Sequence, residues 1–155
     1  MISRESVFRV AMYKGTRSGM PGLYNRAVRA WERGPYSHCE MIFSDGRAAS
    51  SSFEDGGVRF KDIAFDTARW DFIALPRERE RYARDWFRDH EGESYNLMGN
   101  VNQIIGYVPA AKNKSFCSEA IAAALGIPEA WRYGPNILAA TLLYTAIRAR
   151  EPQSC

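Results

Sequence analysis

An α+β fold, with a small antiparallel sheet packed against helices, is what this sequence predicts. Three observations carry that expectation. The first half holds short runs with period-two alternation, rich in β-branched and aromatic residues. Asp45-Gly46 and Asp55-Gly56-Gly57 punctuate those runs as tight turns. After Pro76 the apolar period becomes helical and stays so to the end of the chain.

Residues 6 to 13 alternate as a strand, and 14 to 21 read as loop. Leu23, Ala27, Ala30 and Trp31 fall at helical spacing across residues 22 to 33, and Gly34-Pro35 ends that helix. Strands are expected at 37 to 43, 47 to 53, 58 to 63 and 70 to 75. Tyr82, Ala83, Trp86, Phe87 and His90 share one face of the next helix, closed by Gly92. Tyr95 to Ile105 is expected as a shorter helix, with a loop from Gly106 to Lys114. Cys117 to Leu125 follows, its stripe formed by Ala120, Ile121, Ala124 and Leu125. Pro128 to Tyr133 reads as a turn or short helix, and Pro135 opens the last helix through Leu138, Leu142, Leu143 and Ile147.

The 155 residues suit one domain with a sizeable core, and residues 148 to 155 read as a flexible tail. A composition 46% hydrophobic and 25% charged is that of an ordinary globular protein, which excludes a disordered chain. Twenty-one basic and 18 acidic residues leave a net charge of only +3, with arginines interleaved among acids, so no nucleic-acid partner is expected. The first residues place charges on both sides of a short apolar run, unlike a signal peptide, and no apolar run is long enough for a transmembrane segment. The expected location is cytoplasmic. Cys39, Cys117 and Cys155 are odd in number and show no scaffold spacing, which argues against a disulfide framework. No Cys-x-x-Cys or paired-His motif is present, so no metal and no cofactor is expected.

Chemistry is signalled by Cys117, at the start of a helix, and by His38, far upstream in a strand. A helix N-terminus and a neighbouring imidazolium both lower a thiol pKa, and the thiolate is the nucleophile. Ser115 is a natural N-cap, and Lys112 and Lys114 add positive charge, while Glu119 opposes the thiolate. Backbone N–H groups of Cys117 and Ser118 are candidate oxyanion donors. The competing reading makes Cys117 a small core residue, as most free cysteines are. His38 and Glu40 point to one face of their strand and Cys39, Met41 and Phe43 to the other, the core side. Glu40 is therefore placed to tune His38, or else both are ordinary solvated residues. His90 reads as a helix C-terminal cation rather than a base.

Together these residues resemble the circularly permuted, papain-like branch of the NlpC-type cysteine hydrolases, related to lecithin retinol acyltransferase. The strand histidine comes first and the cysteine helix late. The resemblance rests on Tyr36-Ser37-His38-Cys39-Glu40, Gly56-Gly57-Val58-Arg59, Gly92-Glu93-Ser94-Tyr95-Asn96 and Phe116-Cys117-Ser118-Glu119, and spans about residues 7 to 145. It implies a permuted papain-like topology, with a sheet or half-barrel against helices. It also implies Cys117 as nucleophile, His38 as base and then acid, and Tyr95 near the oxyanion site. Relatives carry an acid, amide or histidine on the following strand to orient the imidazole. Here that strand holds Ser50 and Ser51, with Ser51 taken as the matched position, and Glu54 or Glu40 as substitutes. The implied reaction is acyl transfer through a thioester on a peptide or acyl substrate, including cell-wall peptides. A bacterial or bacteriophage source, with carriage in a virion, would suit such a chain. The alternatives are an inactive papain-like module in a phage or bacterial assembly, and a lipid acyltransferase or thioesterase. Trp31, Tyr36, Phe53, Trp70, Tyr107 and Trp131 are candidate cleft walls, and residues 97 to 111 a candidate rim over the site.

Overall fold

The computed structural model describes residues 7–95 and 114–149. Five antiparallel strands form the body of its sheet: β1 (Arg9–Tyr13), β2 (His38–Ile42), β3 (Ala48–Ser52), β4 (Gly57–Lys61) and β5 (Trp70–Ala74). Two two-residue strands, β6 (Ser94–Tyr95) and β7 (Lys114–Ser115), extend it in the order β5-β1-β2-β3-β4-β6-β7. The last pair runs parallel, which the expected all-antiparallel sheet did not include. The helices are α1 (Gly19–Glu32), α2 (Glu80–Asp89), α3 (Cys117–Ala124) and α4 (Pro135–Arg148), with 3-10 turns at Arg77–Arg79 and Ala130–Arg132. The fold is α+β, as the alternation and the change of period predicted.

Alternation along the strands divides the apolar residues between two faces. Val10, Met12, Cys39, Met41, Ala49, Val58 and Ile73 point to the helical side and form the main core with Ala83 and Phe87 of α2, Ala120 and Ile121 of α3, and Leu138 and Leu142 of α4. Ala11, Tyr13, Ile42 and Trp70 make a smaller cluster on the opposite face, joined by the half-buried Phe65 and Phe72. The stripe expected for α3 is buried at Ala120, Ile121 and Ala124 and only partly at Leu125.

Three expectations are corrected. Leu23 and Trp31, read as part of an apolar face, are 61% and 58% exposed, while α1 buries Gly22, Asn25 and Val28. The reason is backbone contact: a Cβ at Gly22 would collide with the Arg17 carbonyl, so α1 lies on its own entry loop along that narrow side. Arg29 reinforces the choice by donating to the carbonyls of Lys14 and Gly15 at 2.9 and 2.6 Å. Tyr95, expected to begin a helix, is in β6; the rest of that expected helix, Tyr107 and the rim at 97 to 111 lie outside the described residues, as does Cys155. Arg148, assigned to the tail, is the last residue of α4, because the helical hydrogen bonds continue to Ala149. Among the described residues no helix is long and apolar enough to cross a membrane.

β4 meets β6 through a narrow junction. Gly57 has φ +149, and a Cβ there would run into the Glu93 carbonyl oxygen. Val58 N–H donates to that same oxygen at 2.8 Å. Gly57→Ala is expected to cost about 2 kcal/mol or more, read as a lower urea midpoint with an unchanged slope, since both backbone strain and a main-chain clash are introduced.

Candidate active site

Strand β2 delivers His38 and Glu40 to one face, and their side chains meet: the ring Nε2 donates to Glu40 Oε1 at 2.8 Å. Glu40 is almost wholly buried, its side chain 2% exposed. Arg59 of β4 neutralises it in a two-pronged pair, Nη2 to Oε1 at 2.6 Å and Nη1 to Oε2 at 2.8 Å. To do so the guanidinium crosses β3, where the residue beneath its register position is the small Ser50. Arg59 Nε in turn donates to Asp55 at 2.7 Å, and Lys61 to the same carboxylate at 2.8 Å. A line of alternating charge thus runs from Lys61 through Asp55, Arg59 and Glu40 to the imidazole.

The segment before His38 is tied down from both sides. Asn136, near the start of α4, accepts from Tyr36 N–H at 2.9 Å and donates to the Tyr36 carbonyl at 2.8 Å. Ser37 N–H donates to the Tyr13 carbonyl at 3.0 Å. Glu32, at the end of α1, fixes Asn136 by accepting from its backbone and side-chain amides at 2.9 and 2.6 Å. Trp70 stands edge-on to the imidazole with ring centres 6.3 Å apart.

Cys117 is the first residue of α3 and 3% exposed. Phe116, rather than Ser115, is the N-cap, because pairing with Tyr95 keeps the chain extended through Ser115. Glu119 accepts the Phe116 N–H at 3.3 Å, one half of a capping box. The Cys117 side chain hydrogen-bonds the His38 ring. With Nε2 committed to Glu40, Nδ1 is the ring nitrogen left for sulfur. Cys39 contributes as well: its thiol and its backbone N–H both donate to Cys117.

These contacts set the protonation states. The Cys117 thiol is held well below its ordinary range, chiefly by the hydrogen bond from Cys39 and then by the charge and N–H of His38, against the opposing effect of burial. Burial disfavours the imidazolium, yet the Cys117 sulfur and the Glu40 carboxylate outweigh it and raise the His38 pKa to about 9. Glu40 stays ionised: burial would raise its pKa, and Arg59 and His38 more than reverse that. Cys39 is pushed upward by burial and by the negative sulfur beside it, and so keeps its proton. Glu32 is raised by burial and, more weakly, by Cys117, a carboxylate near enough to the sulfur to feel its charge.

His38 also lines a cleft of about 300 Å³ between α1 and the turn after β3, walled by Met20, Pro21, Tyr24 and Phe53. Arg17 and Glu54 form an ion pair at 2.6 Å among the lining residues. Ser37 Oγ, buried in the same lining, has no hydrogen-bond partner among the described residues.

Of the residues singled out in the sequence, Cys117, His38 and Glu40 come together. Ser51 is buried on β3 opposite Val58, while the bonds of the ring run to Glu40 and Cys117. Ser50 donates to the Cys39 carbonyl at 2.8 Å. Ser118 is fully buried, its hydroxyl without a partner among the described residues. Tyr95 contributes its backbone to β6, in register with Ser115. His90 ends α2, stacked on Trp86 at 3.9 Å with Nδ1 donating to the Trp86 carbonyl at 2.7 Å. Sequence reasoning gave no role to Arg59, Asn136 or Glu32. Arg59 alone carried a signal, as the basic residue closing Gly56-Gly57-Val58-Arg59.

Arg59→Met would leave the Glu40 carboxylate buried with only His38 for a partner. A destabilisation of about 3–5 kcal/mol by urea unfolding is expected at neutral pH. It should shrink as the pH falls and Glu40 takes up a proton, because a carboxylate with a depressed folded pKa contributes stability that is lost on acidification. No protein-family model matches the chain and no curated protein matches it, so the functional reading rests on this geometry.

Proposed function

We propose that the chain is a cysteine hydrolase that cleaves amide bonds, with peptides, including those of cell-wall type, as its substrate class. The observation that carries the reading is the hydrogen-bonded Cys117–His38 pair, held by Glu40 and Arg59, at a helix start. The Cys117 sulfur attacks the carbonyl carbon, and the oxyanion is met by the backbone N–H groups of Cys117 and Ser118, where first-turn amides are free of helical partners. His38 then gives its proton to the leaving amine, and an acyl-thioester remains on Cys117. The same imidazole, now neutral, takes a proton from the water that releases the acid. Glu40 keeps the ring in one orientation and stabilises its charged form, the task of the acid in a catalytic triad.

A second reading, transfer or hydrolysis of apolar acyl esters or thioesters, is favoured by the Met20, Pro21, Tyr24 and Phe53 walls of the cleft on which His38 opens. Incubation with purified cell walls and, separately, with phospholipid vesicles separates the two. New amines that disappear in Cys117→Ala support the first, and free fatty acids without amines support the second. Neither product, with slow and equal iodoacetamide labelling of all three cysteines, would leave an inert module.

The ion pair has a definite pH window. His38 contributes stability that is fully present below its unfolded pKa near 6.5 and is lost as pH rises through about 9. The depressed Cys117 pKa acts in the opposite sense and loses its share as pH falls. Cys117 should therefore label rapidly at neutral pH, far ahead of Cys39. Glu40→Gln removes the carboxylate that favours the imidazolium. Its expected effect is a downward shift of the His38 pKa, read by NMR titration, together with slower Cys117 labelling at neutral pH.

A further inference from the structure

The core holds a second thiol that neither makes nor breaks a bond in the proposed hydrolytic cycle, although its hydrogen bond helps hold the Cys117 pKa down. Strand alternation turns Cys39, the neighbour of His38, toward the helical side of the sheet, and α3 packs on β2 with Cys117 as its first residue. Both cysteines are free and belong to one buried cluster, together with Met41, Ala49, Ala120 and Ile121. The Cys39 thiol acts on the Cys117 sulfur as a hydrogen-bond donor, which makes the two thiols neighbours within that cluster. Packing at position 39 asks only for a small apolar side chain, which alanine or valine would supply. A thiol at that position is chemically different, because its neighbour is the nucleophile.

We propose that Cys39 and Cys117 form a reversible disulfide in response to hydroperoxides, with Cys117 the sulfur that is oxidised and Cys39 the one that resolves it. The Cys117 thiolate attacks one peroxide oxygen, the O–O bond breaks, and the departing hydroxide takes a proton from the His38 imidazolium to leave as water. Cys117 is then a sulfenic acid. The Cys39 sulfur attacks the Cys117 sulfur, the S–O bond breaks, and hydroxide leaves as a second water with the Cys39 proton. Two thiols and one hydrogen peroxide become one disulfide and two waters. The peroxide is the oxidant, and the thiol pair loses two electrons. A bond of about 2.05 Å requires the sulfurs to close from hydrogen-bonding contact. Cys39 is fixed on β2 between β1 and β3, so that movement falls on the first turn of α3, whose leading amides carry no helical hydrogen bond. The bond would silence the nucleophile and shield it from irreversible oxidation. It needs only the two thiols and their neighbour, and so does not depend on the hydrolytic reading.

Hydrogen peroxide is added to the wild-type protein and to Cys155→Ser, followed by alkylation and non-reducing tryptic mass spectrometry. The expected product joins peptides 34–47 and 115–132 with the loss of two hydrogens. Iodoacetamide labelling of Cys117 is lost in step and returns fully with dithiothreitol. In Cys39→Ser, or in Cys39→Ala if the serine variant fails a circular-dichroism check of folding, peroxide should drive Cys117 to sulfinic acid, with no recovery by dithiothreitol. Three results overturn the proposal: sulfinic Cys117 in the wild type without the linked peptide, a Cys117–Cys155 bond in its place, or full reversibility in the Cys39 variants. Mass and labelling are the readouts, so the bond is detected or excluded whether or not the protein hydrolyses amides.

Discussion

The buried Glu40 carboxylate is the group on which the site depends. A carboxylate at 2% exposure is tolerable only if its charge is matched and its oxygens are occupied, and Arg59 and His38 do both. That requirement reaches outward. It is met by Arg59 on β4, which has the small Ser50 as its register partner and Asp55 to steady the guanidinium. It also reaches inward, because a charged partner on Nε2 makes the imidazolium the favoured form and leaves Nδ1 for sulfur. The Cys117 thiolate is thus supported by an anion two residues along the strand from the histidine.

The architecture concentrates this chemistry where the sheet changes character. His38 begins β2 and shares its face with the smaller aromatic cluster around Trp70, while Cys117 arrives from the helical side. The pair forms at the strand end, where a side chain from one face can meet one from the other. The cleft follows the same logic: α1 rests on its entry loop through Gly22 and Asn25 and leaves Met20 and Leu23 exposed, with Met20 on the wall beside His38.

Much of this was legible in the chain. Turn signals at Asp45-Gly46 and Asp55-Gly56 located the hairpins within a residue or two, and alternation placed His38 with Glu40 and Cys39 with the core. The face of α1 was not legible, because apolar spacing assumes that side-chain burial decides the matter, whereas at Gly22 a close backbone approach does. The start of α3 at Cys117 was legible, but its N-cap is Phe116 rather than Ser115, because a two-residue strand pairing, invisible to local propensity, outranked a good capping residue. Arg59 and Asn136 act across 19 and 100 positions of sequence, and their roles exist only once the sheet and the last helix are assembled. The serine expected to orient the ring was inferred from its strand position. Glu40 was already on the right face and carries the charge that serine lacks.

Asn136 has a consequence for the order of assembly. It grips the peptide unit of Tyr36 from the beginning of α4, and Glu32 grips Asn136, so the entry to β2 is closed by a segment from the far end of the chain. A nascent polypeptide emerging from its N-terminus would form the hairpins of β2, β3 and β4 long before that clamp could exist. The meeting of His38 with Cys117 waits on the same late segments, because α3 and α4 both follow strands β1 to β5 in the chain.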